Sequence, residues 1–294
     1  MRVTIDSTAA NHGNIINNSP AINSRSASAR RGEIMDIKSV SSKRIFVFDL
    51  DGTLTKTKSP IDEPARTALR RLLLKRKVAV MGGGTYAQFK EQLVGHLNAN
   101  PEALSNLYLF PTCGTQMYTY DRSKRDFTQV YSHELSDDEK SVITLALEAA
   151  VKASGVEITG DIYGKQIEDR GSQVTFSALG QSAPAEKKYA WDPNHEKRKS
   201  ILSKINERLG GKFEARIGGT TSIDVTRTGQ DKAYGIAMIC ENLGVTVSDI
   251  VFIGDALFEG GNDYEVKKTG VQTVQVNAPS DTASLIESAL SEMQ

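Results

Sequence analysis

Far apart in the chain, two short apolar runs each end in an aspartate: Arg44-Ile-Phe-Val-Phe-Asp49 and Ile250-Val-Phe-Ile-Gly-Asp255. A strand with one face in water alternates apolar and polar residues. A run without that alternation reads as a strand buried on both faces, as in a parallel sheet. Parallel neighbours need crossover connections, usually helical, and the surrounding chain supplies them. Glu63 to Lys75 reads as a helix, with Asp62 as N-cap and Pro64 in the first turn. Val78-Ala-Val-Met81 is a second buried strand, which Gly82-Gly-Gly84 ends before a helix through Phe89, Leu93 and Leu97. Leu107-Tyr-Leu-Phe110 is a third strand, and Gln116 to Tyr120 starts a β-ribbon. The same texture resumes after Gln230: a helix from Lys232 to Leu243, the Asp255 strand, a strand from Val271 to Val276, and a closing helix from Asp281 to Glu292.

Between these halves the pattern changes. Ser136 and Glu139 form a capping box for a helix to about Lys152. Ser172 to Ala178 alternates like a half-exposed strand. Asp192 caps a helix reaching about Leu209. Phe213 to Ile217 and Ser222 to Thr226 read as further strands, giving an α+β unit with helices on one face. The expected organisation is an α/β core at 43–120 and 229–294, interrupted by an inserted domain at 121–228. Residues 1–42, small and polar with Ser24-Arg-Ser-Ala-Ser-Ala-Arg-Arg31, read as a disordered extension, because they offer too little apolar surface to offset the entropy of ordering. Asp6, Glu33 and Asp36 argue against an organelle presequence, and no apolar segment suits a secretory signal.

Composition narrows the function classes. Lys+Arg and Asp+Glu both number 36 among 294 residues, so net charge is zero and a polybasic nucleic-acid binder is excluded. Two cysteines, Cys113 and Cys240, rule out a disulfide framework or a Cys-rich zinc site. No apolar stretch reaches the roughly 20 residues of a membrane span. The expectation is a cytoplasmic protein with neither nucleic acid nor membrane as partner.

The chemistry concentrates where the apolar runs end. In Asp49-Leu-Asp-Gly-Thr-Leu-Thr55 two carboxylates stand just past a strand's C-terminal end, the edge at which open α/β sheets bind ligands. Asp255 repeats the layout, and Gly260-Gly-Asn-Asp263 follows it. Carboxylates gathered out of water need a cation to offset them, and oxygen ligands suit Mg²⁺. Lys232 adds a charge able to hold phosphate, and the set points to phosphoryl transfer. His12, His96, His133 and His195 have no partners at metal-ligand spacing, and nothing marks Cys113 as activated.

These motifs, in this order, resemble the haloacid dehalogenase superfamily of phosphotransferases, whose C2-type cap lies where the inserted domain falls. The resemblance covers essentially everything after Lys43. Gly82-Gly-Gly-Thr-Tyr-Ala-Gln-Phe-Lys-Glu-Gln-Leu93, Phe110-Pro-Thr-Cys-Gly114, Ser222-Ile-Asp224, Gln230-Asp-Lys232 and Gly260-Gly-Asn-Asp-Tyr-Glu265 narrow it to the branch of eukaryotic phosphomannomutase and bacterial IIB-type sugar-phosphate phosphatases. The implied fold is a Rossmann-like core with a parallel sheet plus the α+β cap. The implied roles are Asp49 as nucleophile and Asp51 as general acid and then base. Asp49, Asp255 and the Asp51 backbone carbonyl would hold Mg²⁺, with Asp263 as a direct ligand or as an outer one orienting its waters. Lys232 would screen the phosphate and Thr53 support its loop. The superfamily's usual hydroxyl after the second strand is missing. The N–H groups of Gly83 and Gly84 and the side chain of Thr85 are the substitutes, although Thr85 also reads as a helix N-cap.

Substrate choice falls to the cap. On the phosphomannomutase pattern Arg170 is kept, while the other expected arginines become Lys58, Gln181 and Lys188. Lysine cannot copy the planar fork of arginine and glutamine has no charge. Ser222 and Asp224 match positions that contact sugar hydroxyls. An intact catalytic set beside a thinned arginine set makes a Mg²⁺-dependent phosphatase of sugar phosphates the leading expectation. A phosphohexomutase is the alternative, and a non-catalytic sugar-phosphate sensor a third. A small phosphate ester is the expected partner, with a homodimer through the cap as a further possibility.

Overall fold

The computed structural model describes residues 36–293. Its strands are β1 (Ile45–Asp49), β2 (Lys77–Met81), β3 (Leu107–Phe110), β4 (Gln116–Asp121), β5 (Asp126–Ser132), β6 (Ile167–Asp169), β7 (Val174–Ser177), β8 (Phe213–Ile217), β9 (Ser222–Arg227), β10 (Ile250–Gly254) and β11 (Gln272–Gln275). Seven form a sheet in the order β11-β10-β1-β2-β3-β4-β5. The strands from β11 to β3 are parallel, and β4 and β5 extend the edge as an antiparallel ribbon. From β1 the chain runs outward through β2 and β3 on one side, and through β10 and β11 on the other. That reversal opens a crevice at the C-terminal strand ends. Phe48 lies in register with Ile253 and Asp49 with Met81, so the Asp49, Gly82 and Asp255 segments all leave the sheet at its centre.

Burial follows the alternation of the strands. Phe46, Phe48, Val78, Val80, Val251 and Ile253 pack on one face under Leu69, Leu72, Phe89, Leu93 and Ile286. Ile45, Val47, Ala79, Met81 and Phe252 pack on the other under Ile236, Ile239 and Val266. With both faces covered, β1 has no position for a polar residue before Asp49. Each fully buried side chain of this kind contributes about 1.5–3 kcal/mol.

A second, antiparallel sheet has the order β6-β7-β9-β8. Helices Asp137–Ala153 and Glu196–Asn206 cover one face through Ile143, Leu147, Ile201 and Ile205 against Phe176 and Val225. Alternation places Thr175, Ser222 and Asp224 on the opposite face, and Thr175 donates to Asp224 at 2.8 Å. This unit is tied to the larger one by a buried triangle of hydroxyls, with Ser172 at 2.6 Å from Thr115 and 3.0 Å from Thr112. Arg227 adds a second tie, donating to the carbonyls of His133 and Glu134.

Several expectations shift. Residues 36–42 are ordered: Asp36 caps helix Ile37–Ser41, and Val40 is buried in the core. The remainder of the expected disordered extension lies outside the described residues. A domain boundary at Asp121 would fall within the β4–β5 ribbon, which stays in the large sheet to Ser132 because β5 pairs with β4 over its length. Val174–Ser177 is buried throughout rather than half-exposed, its polar side chains taken up by Asp224 at Thr175 and by the Gly180 carbonyl and Thr221 at Ser177. Asp192 does accept from the N–H groups of Lys197 and Arg198, yet a separate helix Ala185–Trp191 precedes it, and the helix it serves is Glu196–Asn206. Among the described residues no helix is long and apolar enough to cross a membrane.

Candidate active site

At the sheet's central tip, Asp49, Asp255 and Asp263 each present a carboxylate oxygen within 4.8 Å of the others. Strand register supplies the first two. The third returns on the loop after β10, where Asp263 accepts the Ala256 N–H at 3.0 Å. The Lys232 ammonium, in the first turn of helix Lys232–Leu243, donates to both Asp49 and Asp263. Two glycines make room for this approach. Gly52 has φ +95°, and a Cβ there would collide with the Asp255 carboxylate; a Cβ on Gly254 would collide with Asp263.

The electrostatics are unbalanced. Burial raises the Asp49 pKa well above the usual carboxylate range; Lys232 opposes the rise, and Asp263 and Asp255 add to it. Asp255 is raised as well, by burial and then by Asp263. Burial works against the Lys232 ammonium, but Asp263 and Asp49 outweigh it and hold its pKa above the ordinary value. One ammonium thus faces three carboxylates, and a hard divalent cation with oxygen ligands fits the deficit.

Asp51 does not join that group. Its Oδ1 accepts from the Lys58 N–H at 2.8 Å and from Gln92 Nε2 at 3.0 Å, which hold the carboxylate apart from the three-aspartate group and within electrostatic reach of Lys58 and Lys188. Thr53 donates to Asp255 at 3.2 Å, and its carbonyl accepts from Thr282 at 2.7 Å, a supporting position for the loop. Thr85 is a helix cap: its hydroxyl accepts from Gln88 N, and Gln88 Oε1 from Thr85 N, in a closed capping box. The Gly82–Gly84 segment is held by its carbonyls. Gly83 O accepts from Arg170 at 2.6 Å and Gln173 at 3.2 Å, and Gly84 O from the Thr112 N–H.

Across the crevice the smaller unit gathers most of the remaining candidates. The Arg170 guanidinium reaches Glu168 at 2.6 Å, Gly83 O, and Gln181 Oε1 at 3.2 Å. Lys188, expected to face the substrate, is buried, and its ammonium donates to Gln181 O at 2.8 Å. Burial lowers its pKa to about 8, with Lys58 as the next cause. Lys58 sits at the crevice mouth in a left-handed conformation, φ +56°. Desolvation lowers its pKa despite Asp51 nearby. Asp224 is pushed up by burial, with Arg170 opposing. Ser222 shares the face of Asp224, and no side-chain hydrogen bond of Ser222 joins this network. Trp191 packs in the smaller unit's apolar core, and the Cys113 thiol is pushed up to about 12 by burial and is unreactive there.

Two residues of this constellation escaped the sequence reading. Glu168 lies one strand repeat from Arg170. Gln92 is a buried polar residue on the face marked by Phe89 and Leu93; it lies within the Gly82–Leu93 segment, and its break in the apolar stripe was a signal that the reading gave no role.

Residues 65–292 match the family model described as eukaryotic phosphomannomutase. A probable phosphomannomutase of Caenorhabditis elegans is 28% identical over 262 residues, covering 86% of this chain and 98% of the nematode protein. The phosphomannomutase of Saccharomyces cerevisiae is 28% identical over 251 residues, covering 82% and 92%. Among solved structures, Plasmodium falciparum IMP-nucleotidase superposes with TM-score 0.66 at 17% identity over 87% of this chain and 71% of its own. A haloacid dehalogenase-like hydrolase from Bacteroides thetaiotaomicron gives 0.54 at 17% identity over 83% and 98%. At such identity these two likenesses speak for the fold alone. With the family match spanning most of the sequence, this chain belongs to the eukaryotic phosphomannomutase family, within the haloacid dehalogenase superfamily, and is an enzyme of its phosphotransferase and phosphohydrolase class.

Proposed function

We propose that this enzyme moves a phosphoryl group between two positions of a hexose phosphate, the mutase reaction, through Asp49. The observation that carries the reading is the convergence of Arg170, Lys188 and Lys58 on the crevice facing Asp51. Burial is the main reason both lysines sit below their ordinary pKa, even with Asp51 and Glu168 close by, and a phosphate dianion on the far end of a hexose would supply the partner that these desolvated ammonium groups lack. The thinned arginine set pointed to a phosphatase, but three cations are still assembled there.

In this reading an Asp49 oxygen attacks the phosphorus, and the bond to the sugar oxygen breaks. Asp51 gives that oxygen its proton, then takes the proton of the hydroxyl that next attacks the aspartyl-phosphate. Lys232 favours the ionised form of Asp49 against the effect of burial and screens the phosphate charge. Asp49, Asp255 and Asp263, with the Asp51 carbonyl, would hold Mg²⁺, which when bound lowers the repulsion between phosphate and carboxylate. Asp224 and Ser222 would receive sugar hydroxyls.

Hydrolysis by a phosphatase is the second reading. It is favoured by the Arg170 fork, which Glu168, Gly83 O and Gln181 already occupy. One assay separates them. Mannose 1-phosphate with a trace of its 1,6-bisphosphate and Mg²⁺ is followed by ³¹P NMR. Accumulating 6-phosphate supports the mutase; inorganic phosphate as the main product sinks it in favour of the phosphatase.

A further inference from the structure

The Asp51 carboxylate is fixed from two sides, and one of them has no assigned role. Gln92 is 3% exposed, and its Nε2 donates to Asp51 Oδ1. It belongs to Lys90–Val94, a π-helical turn inserted in an otherwise α-helical segment, and its carbonyl accepts the Ile61 N–H at 2.8 Å. Such turns add a residue to the helix and reorient a side chain, often beside functional groups. The second donor is the Lys58 N–H, delivered by the left-handed backbone at that position. Both bonds end on the same oxygen, so Oδ2 takes part in neither.

We propose that Gln92 is a positioning residue which, together with the Lys58 N–H, holds Asp51 by Oδ1 and leaves Oδ2 to exchange the proton with the sugar oxygen. This rests on the assignment of Asp51 as general acid. The chemistry is specific: two N–H donors on one oxygen fix the plane of the carboxylate and keep it out of the Asp49, Asp255 and Asp263 cluster. Without Gln92 the carboxylate is free to rotate about its remaining bond, and protonation of the departing oxygen suffers while phosphorus attack at Asp49 does not.

Leaving-group dependence tests this. A hexose 1-phosphate must have its departing oxygen protonated, whereas 4-nitrophenolate leaves unprotonated. Both substrates are followed as hydrolysis with no bisphosphate added, where kcat/KM reports steps up to release of the first alcohol and so isolates the first transfer from the second. Gln92→Leu, close in size, is expected to lower kcat/KM for mannose 1-phosphate by roughly 10–100-fold, part of the 10²–10⁴ that a positioned acid supplies. For 4-nitrophenyl phosphate the change is expected to stay within about threefold, the acid contributing nothing to that departure. Gln92→Met serves as the second variant, and thermal melting establishes that each is folded. Equal losses on both substrates, or no loss on either, overturn the positioning role. A wild-type enzyme inactive on both substrates with Mg²⁺ overturns instead the functional reading on which it rests.

Discussion

The carboxylate cluster at the tip of β1 carries an excess of negative charge, whereas the cation cluster facing it from the smaller sheet has its cations interleaved with carboxylates, and the two are built differently. The first gathers three aspartates and one lysine. Backbone geometry sets two of its positions, because Asp49 and Asp255 end adjacent strands whose register is fixed by a core buried on both faces. The second gathers Lys58, Arg170 and Lys188 with Glu168 and Asp224, from a loop of the larger unit and from a strand, a helix and a second strand of the smaller. Its geometry depends on long side chains and on how two units meet. The lesson is one of tolerance. The carboxylate cluster has no slack for change, since a Cβ at Gly52 or Gly254 already collides with it. The cation cluster, built from long side chains, has more room for exchange of its members.

The comparison can be broken most decisively at Asp49. Asp49→Asn is expected to lower turnover on any phosphate ester by on the order of 10⁴-fold or more, measured as product release under saturating substrate. Survival of a tenth of the activity would place the chemistry elsewhere. Next in size is Lys232→Met, which leaves buried carboxylates uncompensated. In chelator it is expected to lower stability by about 3–5 kcal/mol in urea unfolding, and added Mg²⁺ should recover more for this variant than for the wild type.

Gln181→Arg probes the opposite cluster. Restoring a fork beside Arg170 should tighten KM for a bisphosphorylated hexose by roughly tenfold and raise the ratio of 6-phosphate to inorganic phosphate. A raised KM would mean that the pocket has repacked around the glutamine. The pH profile sharpens the same point. With its pKa lowered to about 8, Lys188 is charged below that pH and loses its proton above it. Dianion binding, and so kcat/KM for hexose phosphates, should fall as pH rises through that value, and Lys188→Arg should carry the fall to higher pH. An unchanged profile would remove Lys188 from the binding site. Smallest is Thr85→Ala, expected to cost about 1 kcal/mol of stability through the lost cap and to leave KM unchanged; a large rise in KM would return Thr85 to phosphate binding.

Much of the larger unit was legible in its sequence. The helix cap at Asp62 and the buried strands ending in Asp49 and Gly254 depend on neighbours within a few residues, and the structure has them; the capping box at Ser136 and Glu139 in the smaller unit was legible for the same reason. The ribbon was less legible, because β5 joins the large sheet through pairing rather than composition. The smaller unit was read least well. Val174–Ser177 has an alternating pattern, but its polar face is covered by a segment far away in the chain, and Lys188 is buried with its ammonium on the Gln181 carbonyl, a contact that no local pattern marks.

What the sequence by itself determined was the pair of apolar strands ending in carboxylates, and with them a parallel sheet whose acidic tips share one edge, because an unbroken apolar run can be accommodated only with both faces covered. What the tertiary structure alone decided was the direction of Asp51, the engagement of Gln92 and Glu168, and the burial of Lys188. Each depends on a partner from a distant segment, and local periodicity encodes which face a residue shares but not which group will stand opposite it.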